Sequence, residues 1–281
     1  MDGFLFIIKS FILGIVEGLS EFLPISSTGH LIVFQNLLGF TSSTENYIDM
    51  YTYVIQLGAI LAVVVLFRNK ILRTLKTLVP QKDNFKKSGF YFWLMIALAC
   101  VPGFFAEILI GRFLEPNYIS VCIFLIIGAV LLYFAEAFFA TKRGGGKPFS
   151  IITPKQALII GAFQCLSIFP GMSRSASTIM GGWVAGLSTV ASAEFSFFLA
   201  IPVMLGMSVL KIGETGGLFS LSAIEILSLV VGFLVSFIVA LICVKGFIDY
   251  LKKKPMKVFA YYRIIFAIVV LILGLFGMFK V

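Results

Sequence analysis

Charge is scarce in this sequence. Asp, Glu, Lys and Arg make up 12% of 281 residues, against 60% hydrophobic residues, and the mean hydropathy is +1.07. A water-soluble domain carries about 25% charged residues. Too few polar side chains exist here to cover a water-facing surface, which excludes a soluble globular domain and leaves a polytopic membrane protein. Paired cysteines are also missing. Cys100, Cys122, Cys165 and Cys243 form no C-x-x-C unit, and all lie inside apolar runs. They read as small buried hydrophobes and say nothing of redox compartment. A basic leader is absent too. Residues 1–9 lack a basic n-region and no A-x-A-like site follows, so no cleavable signal peptide is expected. The net charge of +9 could suggest nucleic acid. The Lys and Arg residues, however, sit in short runs between apolar segments, and no basic-aromatic domain remains outside them. Nucleic-acid binding is excluded on that ground.

What is present is apolar length. Six segments are long enough to span a bilayer, at about 48–67, 90–110, 118–140, 194–212, 223–248 and 258–280. Regions 4–38 and 156–190 are also apolar, but Pro, Gly and hydroxyl residues interrupt each midway. A straight span would strand those polar groups in lipid. Each region is predicted to be two half-helices that dip in and return to the same side.

The basic residues set an orientation. Loop 68–87 carries Arg68, Lys70, Arg73, Lys76, Lys82, Lys86 and Lys87. Loop 141–155 carries Lys142, Arg143, Lys147 and Lys155, and loop 249–257 carries Lys252, Lys253, Lys254 and Lys257. Loops 111–117 and 213–222 are poor in Lys and Arg. The positive-inside rule puts the three basic loops in the cytoplasm and both termini outside. Region 4–38 then enters from the outer face and region 156–190 from the cytoplasmic face.

The two broken regions resemble each other. "GIVEGLSEFLPISS" (Gly14 to Ser27) aligns with "GAFQCLSIFPGMS" (Gly161 to Ser173) when one residue is deleted before the proline. Gly14 then meets Gly161, Glu17 meets Gln164, Phe22 meets Phe169, Pro24 meets Pro170 and Ser27 meets Ser173. Each half is one broken segment followed by three spans. Three is odd, so the halves run in opposite directions. The expected fold is all-α: one integral membrane domain built as an inverted-topology repeat, with halves at about 1–140 and 156–281. It has six transmembrane helices and two re-entrant broken segments that meet near mid-bilayer.

The polar residues of the breaks carry the chemistry. Glu17 and Glu21 lie one turn apart on one helix face. Buried together, one takes up a proton, or both share a cation such as Mg²⁺ or Ca²⁺. Pro24 ends the first half-helix, and "SSTG" supplies N-cap candidates for the next. His30 falls one turn after Ser26 and Ser27, within reach of a nucleophile–base or nucleophile–acid pair. In "PGMSRSAST" (Pro170 to Thr178), Arg174 sits among Ser173, Ser175, Ser177 and Thr178. A guanidinium there calls for an anion, and its planar fork suits phosphate. The lesser alternative is a structural ion pair of Arg174 with Glu17 or Glu21, which would also bring the breaks together. Gln56 and Gln164 read as packing hydrogen bonds, and Glu136 as interfacial. Glu194 reads as a cap of the adjacent span or part of the inner cavity lining, and Gly181, Gly182 and Gly186 as close-packing positions. Together these groups point to phosphoryl transfer or hydrolysis on a phosphorylated, lipid-borne substrate.

The E-x-x-x-E of "EGLSE", the "SSTGH" that follows and "PGMSRSAST" resemble the signature motifs of the undecaprenyl pyrophosphate phosphatase, or bacitracin-resistance, family. The resemblance covers essentially the whole chain. It implies hydrolysis of undecaprenyl pyrophosphate to undecaprenyl phosphate and inorganic phosphate in the bacterial cell membrane. That step recycles the carrier lipid for peptidoglycan and lowers sensitivity to bacitracin. It implies an active site open to the outer face. Carried over by position, the resemblance gives Glu17 and Glu21 to metal or water positioning, Ser27 to the nucleophile and His30 to the acid or base. Ser26, Thr28, Ser173, Arg174, Ser175 and Thr178 form the pyrophosphate cradle. Either Ser27 or a water delivers the attack. The polyprenyl lipid and membrane lipids are the expected partners, and a homodimer is compatible with this reading. The competing reading is a carrier or flippase for an anionic polyprenyl lipid, with no hydrolysis. The Ser-His pair beside the carboxylates argues against it, since a pure binding site has little need of one.

Overall fold

The computed structural model describes residues 3–44, 46–79, 85–111, 114, 117–140, 152–215 and 221–279. Lys82, Lys142, Arg143 and Lys147 of the basic loops lie outside the described residues. The chain forms α1 (Gly3–Ser20), α2 (Ser27–Leu38), α3 (Tyr47–Leu66), α4 (Arg68–Lys76), α5 (Gly89–Ile110) and α6 (Tyr118–Phe139). The second half forms α7 (Pro154–Gln164), α8 (Arg174–Val184), α9 (Thr189–Glu214), α10 (Ala223–Leu251) and α11 (Lys257–Leu275). No β-strand occurs among the described residues.

The six expected spans are α3, α5, α6, α9, α10 and α11. Among the described residues, seven helices are long and apolar enough to cross a bilayer, the seventh being α1. Yet α1 remains half of a broken pair. Gly39, at the end of α2, accepts a 2.9 Å hydrogen bond from Lys9 Nζ, and Phe40 stacks on Phe6 with ring centres 4.6 Å apart. The second pair turns back likewise, Gln156 Nε2 donating to Ala185 O at 2.9 Å. At ~1.5 Å per residue, the 12 residues of α2 carry the chain roughly 18 Å back from the break.

Basic segments gather at one end. Lys70 pairs with Glu194 at 2.7 Å, and Glu136 accepts the backbone N–H groups of Met256 and Lys257 at 2.7 and 2.6 Å. Glu136 is therefore a cap for the start of α11. Ser188, not Glu194, caps α9. Both chain ends lie opposite. A Cβ on Gly3 would come 2.7 Å from Ile224 at the start of α10, and Phe279 packs on Tyr118 at the start of α6.

Small residues let the broken helices seat against their neighbours. A Cβ on Gly14 would approach Gly232 O of α10 at 2.7 Å, and one on Gly161 would approach Ala99 O of α5 at 2.5 Å. Gly181 and Gly182 pack closely as expected, whereas Gly186 faces open space and serves a turn at φ +81°. Gln56 and Gln164 are buried, but each leaves Oε1 without a partner, contrary to the expected packing hydrogen bonds.

Candidate active site

The local sequence builds the two breaks alike. Ser26 (φ 74°, ψ 90°) caps α2, its Oγ accepting from Gly29 N at 3.3 Å. Ser173 (φ 71°, ψ 116°) caps α8, its Oγ accepting from Ala176 N at 3.3 Å. The structural counterpart of Ser173 is therefore Ser26, not Ser27. Ser27 and Arg174 become equivalent first residues of their helices.

Those two residues converge on one carboxylate. Ser27 Oγ donates to Glu21 Oε2 at 2.6 Å, and Arg174 Nη2 donates to Glu21 Oε1 at 2.6 Å. Glu21 is 5% exposed and Ser27 8%. The breaks also touch directly, Ser175 Oγ donating to Leu23 O at 2.9 Å. Arg174 reaches Ser196 O at 3.4 Å and leaves its buried Nε unpartnered. Thr178 Oγ1 donates to Ser196 Oγ at 2.6 Å, and Ser173 Oγ lies 3.2 Å from Ser175 Oγ. Two helix N-termini and a guanidinium thus surround one buried acid, an arrangement suited to oxygen-rich anions.

Glu17 is fully buried, and neither carboxylate oxygen has a partner. It lies within electrostatic reach of Glu21 and Arg174. A buried acid left in this state needs a proton or a cation. Among the described residues, no three His, Cys, Asp or Glu side chains cluster as metal ligands. A divalent ion would therefore have two carboxylates here and draw its other oxygens from substrate and water, as Mg²⁺ commonly does. The donor set fits that mode of binding.

Two expectations change. Thr28 is exposed and joins none of the bonds above. The Ser27–His30 pair does not form. His30 Nδ1 lies 2.7 Å from Ser26 O and Nε2 2.8 Å from Tyr262 Oη, while Ser27 turns to Glu21.

Sequence reasoning missed Tyr262 and Arg263. Arg263 is fully buried and donates to Leu125 O, Phe124 O, Gly171 O and Met172 O. It clamps the second break against α6 and α11. A charged residue inside span 258–280 was the available signal. Tyr262 carried no such signal.

A profile of the family described as bacitracin resistance protein BacA matches residues 10–269. The chain belongs to this family. It is 59% identical to undecaprenyl-diphosphatase of Ruminiclostridium cellulolyticum over 99% of this chain and 100% of that protein. It is 50% identical to the Clostridium novyi protein of the same name, over 99% of each chain. The Clostridium tetani undecaprenyl-diphosphatase is 46% identical over 97% of this chain and 98% of its own. The segments quoted above for the resemblance to this family are those that meet at Glu21.

Proposed function

We propose that this protein hydrolyses undecaprenyl pyrophosphate to undecaprenyl phosphate and inorganic phosphate. Full-length similarity to proteins named for that activity supports the reading. The observation that carries it is the joint hold of Ser27 and Arg174 on Glu21, at 2.6 Å each. The relatives lend the transport reading no support.

Arg174 and the N-termini of α2 and α8 bind the pyrophosphate oxygens, with Ser26, Ser173, Ser175 and Thr178 as the hydroxyl wall. Ser27 Oγ attacks the terminal phosphorus as its proton passes to Glu21. The bond from that phosphorus to the bridging oxygen breaks, and undecaprenyl phosphate leaves as its anion. Water then attacks the phosphoserine, its proton passing to His30 Nε2, while Glu21 returns its proton to Ser27 Oγ as inorganic phosphate leaves. Glu17 and Glu21 would hold Mg²⁺ or Ca²⁺, which when bound screens the charge developing on phosphate oxygens.

The protein resides in the bacterial cell membrane, with its basic end cytoplasmic. Its halves form an inverted repeat. The twin serine caps and the Gly14 and Gly161 contacts support that arrangement. The first broken segment then opens the site to the outer face, where both termini lie.

The test is phosphate release in detergent from a C55 polyprenyl pyrophosphate, where no compartments exist and transport cannot score. Release is expected, and its absence with properly folded protein rejects the reading. Acid quench should trap label on Ser27. Near-normal turnover of Ser27→Ala would instead assign the attack to water.

A further inference from the structure

His30 is the only histidine of the chain, and the structure engages both of its ring nitrogens. Nδ1 lies 2.7 Å from the carbonyl oxygen of Ser26. A carbonyl can only accept, so Nδ1 bears the proton of the neutral ring. Nε2 is then the bare nitrogen, and the Tyr262 hydroxyl 2.8 Å away donates to it. The ring is held in plane as well. Phe266 stacks on it at 4.0 Å and 3°, and Tyr262 lies nearly parallel at 5.7 Å and 7°. His30 is 4% exposed, whereas Tyr262 is 42% exposed.

Nδ1 is tied to the backbone of the α2 cap. Proton exchange between His30 and any reacting group therefore occurs at Nε2. The atom that stands at that nitrogen is Tyr262 Oη. We propose that Tyr262 is a positioning residue for the hydrolysis: its hydroxyl fixes His30 as the Nδ1–H tautomer and so keeps Nε2 unprotonated and ready to take up a proton. The inference rests on the acid–base role given to His30 above. Tyr262 reaches the reaction only through His30, across 232 residues of sequence, from a helix that supplies nothing else to the phosphate cradle.

Tyr262→Phe keeps the ring and its stacking and deletes only the hydroxyl. A single histidine makes the readout direct, because protein labelled with ¹⁵N-histidine gives one imidazole. In the unaltered protein Nδ1 should carry the proton and Nε2 should show the shift of a hydrogen-bonded acceptor. In Tyr262→Phe the Nε2 resonance should move to that of a free imine nitrogen, with Nδ1 unmoved. The kcat for phosphate release should fall about fivefold to tenfold, the effect of one lost hydrogen bond, with KM little changed. Tyr261→Phe, whose ring packs on Tyr133 instead, should alter neither readout. An Nε2 resonance that stays in place, or an unchanged kcat, overturns the proposal. His30→Ala separates this from the parent reading. If that variant turns over normally, the acid–base role of His30 is wrong, whereas a silent Tyr262→Phe beside an inactive His30→Ala rejects Tyr262 alone.

Discussion

At the first break the chain leaves α1 at Ser20, turns through Glu21–Ser26 and restarts at Ser27. At the second it leaves α7 at Gln164, tightens through a 3₁₀ turn (Cys165–Ile168) and restarts at Arg174. Both restarts use a serine at positive φ whose Oγ caps its own helix. The side chains around that shared backbone differ in charge. Only the first break brings carboxylates and a histidine, and only the second brings a guanidinium. Glu17 has Gln164 as its counterpart. Were both breaks to carry one residue set, like charges would face each other at the meeting point, which costs more as water is excluded. The two breaks share a backbone device but differ in side chains, and together they bring a guanidinium onto a carboxylate.

Breaking that charge division should have the largest effect. Arg174→Ala removes the anion binder and leaves Glu21 buried without its cation. Phosphate release in detergent should fall by at least ~100-fold in kcat. Arg174→Lys should recover only part of it, since Lys keeps the charge but loses the planar fork. Full activity in Arg174→Ala would sink the site.

The two acids of the first break should separate next. Glu21→Gln deletes the acceptor of the Ser27 proton, and ~100-fold loss of kcat is expected for a general base. Glu17→Gln replaces a carboxylate with no partner by the residue that the second break already carries at that position. Its loss should be smaller, and it should shift the Mg²⁺ or Ca²⁺ concentration needed for half activity. Equal losses with no shift in metal dependence would remove the distinction between the two acids.

Much of this contrast was legible in the sequence. Apolar runs of about 20 residues mark spans by length alone, and Pro24, Pro170 and their hydroxyl neighbours mark breaks because lipid tolerates no unpaired polar groups. The juncture of Arg174 with an acid was the lesser of two readings of a lone charge in an apolar segment, the other being a bound anion. The partner of Ser27 did not follow. Ser27 Oγ turns to Glu21, and the His30 ring turns to Ser26 O and Tyr262, so one-turn spacing from Ser27 to His30 does not bring their side chains together. The one-residue gap fell inside a turn, where the sequence offers no periodicity to fix register, and Ser27 was matched with Ser173 in place of Ser26. Tyr262 lies far away in sequence and resembles any aromatic residue on a membrane helix.

The turn before Arg174 offers a smaller perturbation. Gly171 has φ +98°, and a Cβ there would run into Val121 O of α6. Its carbonyl also accepts from Arg263 Nη2 at 2.9 Å. Gly171→Ala should lower thermal stability in detergent by roughly 1–3 kcal/mol through strain and clash, and activity should fall with it as Arg174 shifts. No comparable glycine guards the first break, so the second should prove the more easily displaced of the two.

The smallest effects should test the equivalence of the breaks themselves. Ser26→Ala and Ser173→Ala each delete a cap hydrogen bond of 3.3 Å, which should cost about 1 kcal/mol apiece. Glycine at the same positions should behave differently. It loses the cap but relieves the positive φ that a side chain resists, so Ser26→Gly and Ser173→Gly should lie within a few tenths of a kcal/mol of the unaltered protein. The measurement is the unfolding midpoint of all four variants in one detergent. If the breaks are the same backbone device, the order of alanine below glycine holds at both serines. If only one serine shows it, the shared φ values reflect local accident, and the Ser26–Ser173 correspondence fails along with the register it gives to Ser27 and Arg174.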